Sequence, residues 1–153
     1  MTERTCCVTG HRDIPEDKRA YVEEVLRKEV DAAIADGYTC FISGFSEGVD
    51  LIFAAIVAEQ KEKNPALFLE AAIPYRNRLK AKDATFQALL KACNGINVES
   101  EKYEPNCFFI RDRKMVLASN RVIAVYDGRE RGGTLFTMRA AHVNGKEVRV
   151  IEI

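Results

Sequence analysis

The stretch Tyr38-Thr39-Cys40-Phe41-Ile42-Ser43-Gly44-Phe45-Ser46-Glu47-Gly48-Val49-Asp50 decides the fold. Tyr38–Ser43 reads as a strand, and Gly44–Gly48 is a loop with a glycine at each end. A helix is predicted from Val49 to Lys61, with Ile52, Ala55 and Ile56 turned inward. A strand that passes through a glycine loop into a helix is the first half of a βαβ crossover.

The same alternation continues in both directions. Upstream, Thr5–Thr9 is a predicted strand ending in Gly10, and Pro15 opens a helix. Val22, Val25, Leu26, Val30, Ala33 and Ile34 share one face of that helix, and Gly37 closes it at C′. Downstream, strands are predicted at Leu67–Pro74, Ile96–Glu99, Arg121–Tyr126 and Val148–Ile153. Helices Arg78–Cys93, Cys107–Ala118 and Thr134–Val143 separate them. The third strand is mostly apolar rather than alternating, as in a parallel sheet covered on both faces. The expected fold is therefore α/β: a single Rossmann-like domain over 1–153, with a doubly wound, mainly parallel sheet and helices on both faces.

Composition agrees. The chain has 153 residues, 47% hydrophobic, with 23 Lys+Arg balancing 23 Asp+Glu. That length buries about 70% of the unfolded chain's surface, which excludes a disordered or fibrous protein. Zero net charge argues against nucleic acid or an anionic membrane as the main partner. No apolar run approaches a membrane span and Met1–Arg4 carries no signal core, so a cytoplasmic location is expected. The five cysteines contain no C-x-x-C pair, and with His11 and His142 they give no zinc spacing. Cys6, Cys7 and Cys40 are expected in the core.

In open α/β sheets ligands bind beyond the carboxyl ends of the strands. There the sequence places Thr9-Gly10-His11-Arg12, Ser43–Asp50, Pro74-Tyr75 and Asp127–Thr134, which together hold six of the nine glycines. Glycine permits close backbone approach, and a helix starting after such a loop directs N–H groups and positive dipole at an anion. Gly48–Val49 and Gly133–Thr134 both have this form, so the two facing loops are expected to form an anion site. Neither loop is a P-loop or G-x-G-x-x-G. Glu47 stands as a solvated charge, a ribose acceptor or a base, and Asp50 as a helix support or an arginine partner. His11 can contact a ligand or titrate near neutrality, Asp127 can bind a ribose or cap its turn, and Tyr75 can stack on a base.

These residues carry a family resemblance over nearly the whole chain. Ser43-Gly44-x-x-x-Gly48-Val49-Asp50, Phe109–Lys114 and Gly132-Gly133-Thr134 resemble motifs of the SLOG superfamily, which includes DprA, the LOG phosphoribohydrolases and the YpsA-like proteins. Thr9-Gly10-His11-Arg12 looks most like the YpsA branch. The resemblance implies a nucleotide or nucleotide-derived small molecule as ligand, a homo-oligomer, and a sensor or binding module. Its phosphate would rest on Gly44, Gly48, Gly132, Gly133 and Thr134, with Arg111 or Arg113 reaching in from the neighbouring helix. Arg113-Lys114 matches the Arg-Lys pair of the LOG enzymes, which makes Arg113 a catalytic candidate, with Glu47 as a second. The LOG pattern places its catalytic glutamate where this chain has Thr137, and threonine supplies no carboxylate. LOG-type hydrolysis of a nucleoside monophosphate is thus one alternative, and a DprA-like nucleic-acid partner another.

Overall fold

The structure is a computed structural model that describes residues 4–153; residues 1–3, part of the segment read for targeting, lie outside the described residues. Six strands run in chain order: β1 (Arg4–Gly10), β2 (Tyr38–Ser43), β3 (Phe68–Tyr75), β4 (Gly95–Ser100), β5 (Arg121–Tyr126) and β6 (Glu147–Glu152). They form one sheet in the order β4-β3-β2-β1-β5-β6, and every pairing is parallel. The chain winds outward from β1 to β4, then returns across the sheet to place β5 on the other side of β1. Strand order therefore reverses between β1 and β5, and the crevice a ligand would use opens there.

Five helices cover the two faces. These are α1 (Arg19–Ala35), α2 (Val49–Lys63), α3 (Ala84–Ala92), α4 (Cys107–Ala118) and α5 (Gly133–Val143). Period-two alternation sends Cys6 and Val8 of β1 to one face with Phe41, Leu69 and Ile123, where Leu26, Phe53 and Phe86 from α1, α2 and α3 meet them. Cys7 points the other way, with Ile42, Ala72 and Val122, against Met115, Val116 and Ala141 of α4 and α5. The doubly wound single domain is as the sequence predicts. Burial pushes the Cys6 thiol up and that of Cys7 to about 12, so both are inert core residues. No helix among the described residues is long and apolar enough to cross a membrane.

Ala55, expected to turn inward, is exposed, Cys40 is half-buried, and two boundaries differ from expectation by more than two residues. Pro15 precedes a 3-10 turn over Glu16–Lys18, and α1 begins only at Arg19. The helix predicted from Arg78 to Cys93 is two pieces: a 3-10 segment Arg76–Lys80, then α3. Asp83 separates them, its side chain accepting from the N–H groups of Thr85 and Phe86 as an N-cap. Gly10 explains the tight seat of α2 on β1. A Cβ there would lie 2.5 Å from the Val49 side chain.

Candidate functional site

A cleft of about 470 Å³ opens at the reversal point between β1 and β5. Its floor is the end of β1, Val8–Gly10, and the following residues His11 and Arg12 form one wall. The first turn of α5, from Gly132 to Thr137, forms a second wall, and Phe108, Arg111 and Asp112 of α4 form a third.

α5 presents an open N-terminus to this space. Its N-cap is Gly132 at φ +117, a backbone state that disfavours a side chain, and no side chain caps the turn. Gly132 and Gly133 are exposed, whereas Thr134 is buried. The orphan N–H groups and the positive dipole end there suit a negatively charged group. Arg12 faces the same cleft, its guanidinium 5.2 Å from the centre of the Phe108 ring, and among the described residues it forms no ion pair.

Arg111 is committed to the scaffold. It is 5% exposed; its Nη1 donates to the carbonyls of Gly44 (2.7 Å) and Ala72 (3.0 Å), and its Nε donates to Asp112 Oδ1 (2.7 Å). It thereby ties the β2–α2 loop and β3 to α4. Gly44 leaves room for it, since a Cβ there would stand 2.9 Å from both Arg111 Nη1 and Asp50 Oδ2.

Two carboxylates border the arginine. Burial raises Asp50 to about 6, against the pull of Arg111, while its Oδ2 accepts from the Ser46 N–H (3.2 Å). Burial likewise pushes Asp112 up, opposed by Arg111 and by the hydroxyl of Thr137. His11 is buried, and its Nε2 accepts from the Asp127 N–H (3.2 Å) and sits 3.1 Å from Asp127 Oδ1. Burial and the nearby Arg129 lower its pKa, so it is neutral at pH 7. Asp127 is held far below the usual carboxylate range by Arg129, which also reaches Asp13 at 3.2 Å.

The structure thus brings Gly10, His11, Arg12, Asp50 and Arg111 together around the cleft with Gly132, Gly133 and Thr134. Ser43 and Gly44 lie beneath it, where Ser43 Oγ accepts from Phe45 N (3.2 Å) and donates to the Asp50 carbonyl (2.8 Å). Asp127 stands at the margin, engaged by Arg129 and His11. Glu47 and Gly48 line a different cavity, on the α1–α2 side, and Arg113 lines a groove between α4 and α5. The start of α2 is closed as well: Val49 N donates to the His11 carbonyl (3.4 Å), and Val49 and Asp50 are buried. At Gly48–Val49 the first helical N–H is therefore already taken by the protein, although no side chain caps α2. Sequence reasoning missed Phe108 and Asp112 as lining residues. The spacing Cys107, Arg111, Met115, all buried, marks the inward face of α4 and would have found their neighbourhood. No group of three metal-ligating side chains is present among the described residues.

Comparisons with known proteins agree with this fold. The family model described as the YspA SLOG family (YpsA) matches residues 6–151. None of the curated proteins matches significantly. Among solved structures, the chain is similar to DNA processing protein A from Helicobacter pylori, described for its single-stranded DNA binding mode: TM-score 0.69, 21% identity, covering 97% of this chain. The chain spans only 65% of that protein's length. It is also similar to the X-ray structure of TM1055, with TM-score 0.64 and 14% identity, covering 95% of this chain and 72% of that one. At these identities the likenesses speak for the fold. The family match spans almost every described element, and the chain belongs to the YpsA SLOG family.

Proposed function

We propose that this protein is a binding module for a nucleotide or nucleotide-derived small molecule, held at the β1–β5 cleft. The observation that carries the reading is the uncapped, glycine-led start of α5 facing Arg12 and the Phe108 ring across one cavity. A phosphate would take the N-terminal turn and the guanidinium, and an aromatic base has a ring to pack against. Native mass spectrometry with AMP, ADP-ribose, NAD and cyclic dinucleotides tests it. A stoichiometric, unchanged adduct that is lost in Arg12→Ala and in Gly132→Asp is the expected result. No adduct with any of them, or one indifferent to both substitutions, would sink the reading.

Hydrolysis of an N-glycosidic bond would need a carboxylate in this cleft, where Asp50 and Asp112 are lining residues, while the candidates Glu47 and Arg113 border other cavities. An adduct that decays to free base and ribose phosphate would move the reading to that chemistry. A second partner class has its own observation. The α4–α5 groove carries Arg113, Arg131 and Arg139 beside the Phe109–Phe136 ring pair (4.8 Å), and Phe109 and Gly132 border both groove and cleft. Cations interleaved with aromatic rings suit single-stranded nucleic acid, the ligand named for the DNA processing protein A structure. Salt-dependent binding of an oligonucleotide that weakens in Arg139→Ala would support it. The exposed Phe109, Ile110, Leu117 and Val143 are also where a homo-oligomer would form, which light scattering would read.

A further inference from the structure

A second cavity, of about 460 Å³, lies on the other side of the β1–α1 connection from the cleft. Leu51, Ile52, Ala55 and Ile56 of α2, with Ile14, give it an apolar floor. Four carboxylates (Glu23, Glu47, Glu59, Asp83) and three guanidiniums (Arg12, Arg19, Arg27) line its rim. Most of them are spent: Arg19 pairs with Glu23 (3.4 Å), Arg27 with Glu59 (2.5 Å), and Asp83 caps α3. Arg12 and Glu47 remain uncommitted.

Arg12 is shared. It borders both cavities, and its guanidinium lies 5.2 Å from the centre of the Phe108 ring on the cleft side. The backbone is pressed together at the same point, since a Cβ on Gly48, whose φ is +80, would lie 2.6 Å from the His11 carbonyl oxygen and 2.8 Å from that of Arg12. Glu47, the residue before Gly48, lines this second cavity and not the cleft, away from the anion-seeking start of α5.

We propose that the second cavity is a subsite for the ribose-and-base half of a two-headed nucleotide, whose diphosphate crosses the Arg12 ridge and whose other half fills the β1–β5 cleft. The proposal rests on the nucleotide reading of that cleft. The cavity's own chemistry selects the occupant. More carboxylates than guanidiniums repel a phosphate, an apolar floor accepts a flat ring, and a free carboxylate accepts two hydrogen bonds from a ribose diol. Glu47, a repulsive neighbour for phosphate when both loops are taken as one site, thereby becomes the sugar acceptor.

Isothermal titration of the full chain with NAD, whose diphosphate joins two ribose-and-base halves, and with AMP tests this, using wild type, Ala55→Trp and Glu47→Gln. Ala55 is exposed and lines the second cavity but not the cleft, so the indole fills that space without entering the fold. Wild type is expected to hold NAD at least about tenfold tighter than AMP, as burial of one more flat ring and a pair of hydrogen bonds implies. Ala55→Trp should bring NAD to the AMP level with AMP unchanged, and Glu47→Gln should remove part of the preference. Equal affinity of wild type for both ligands would overturn the second subsite and leave the cleft reading standing. So would a preference that survives Ala55→Trp, or an Ala55→Trp that weakens both ligands alike. Failure of wild type to bind either ligand would sink the cleft reading and this one with it.

Discussion

Two loops of this protein look alike in sequence and differ in what they offer. The β2–α2 loop and the β5–α5 loop each lead from a strand through glycine into a helix. In the first, Ser46 N–H is taken by Asp50, Val49 N–H by the His11 carbonyl, and Phe45 is buried in the left-handed region at φ +57. Neither helix has a side-chain cap, but in the second loop Gly132 and Gly133 are exposed. The lesson concerns donors, not glycines. A glycine turn binds an anion only when its N–H groups have not already been given partners by the fold.

The largest effect should separate the two arginines of the site. Arg111→Ala removes a buried cation with three protein acceptors and should cost about 3–5 kcal/mol in urea unfolding. Arg12→Ala should stay within about 0.5 kcal/mol, its loss showing in ligand affinity instead. Similar stability losses in the two variants would erase the distinction between scaffold and ligand arginine.

The glycines sharpen it further. Gly48→Ala combines φ +80 with a contact 2.6 Å from the His11 carbonyl and should cost about 3 kcal/mol or more. Gly132→Ala meets nothing nearer than Arg129 Cδ at 3.9 Å, so only its φ of +117 opposes the change, at about 1–2 kcal/mol. Equal costs would mean the β5–α5 loop is as closed as its counterpart.

A comparable effect is pH-dependent. Asp50 rises from 3.8 to about 6 on folding, so the native state holds its proton more tightly than the unfolded chain. Its contribution is fully present below about pH 4 and is lost as pH rises through about 6, roughly 3 kcal/mol in all. Asp50→Asn lacks this penalty, so its stability relative to wild type should climb between pH 4 and pH 7. A flat difference across that range would show that the closed loop carries no buried charge. The smallest effect belongs to Gly128→Ala, where a Cβ meets nothing within 4 Å and only φ +90 resists, about 1 kcal/mol.

Much of the fold was legible because hydrophobic period and glycine punctuation agree. The bounds of β2, α4 and β5 follow directly from the sequence pattern. The segment 78–93 misled because its apolar spacing is helical throughout, while the interruption depends on a single Asp83 cap. In the site, His11, Arg12 and the Gly132–Thr134 turn were legible from their place after strands. Arg111 and Arg113 could not be told apart by position in a motif. Two residues along a helix are about 200° apart, so only one of them can face the sheet, and the buried partners of α4 decide which. Glu47 was hard to place for the opposite reason. It lies inside the β2–α2 loop in sequence, yet it lines the second cavity and not the cleft.

The Arg111 hub also bears on the order of assembly. Its acceptors on Gly44 and Ala72 lie 67 and 39 residues away in the chain, so the floor of the cleft closes through two long loops at once. Loop-closure entropy makes such non-local contacts slow to form. During synthesis, β1, β2 and β3 can pair before α4 has emerged, but the receptor for a ligand does not exist until α4 docks and Arg111 finds both carbonyls. A ligand of the proposed kind would therefore reward only the finished fold, its stabilisation withheld from every partly folded chain.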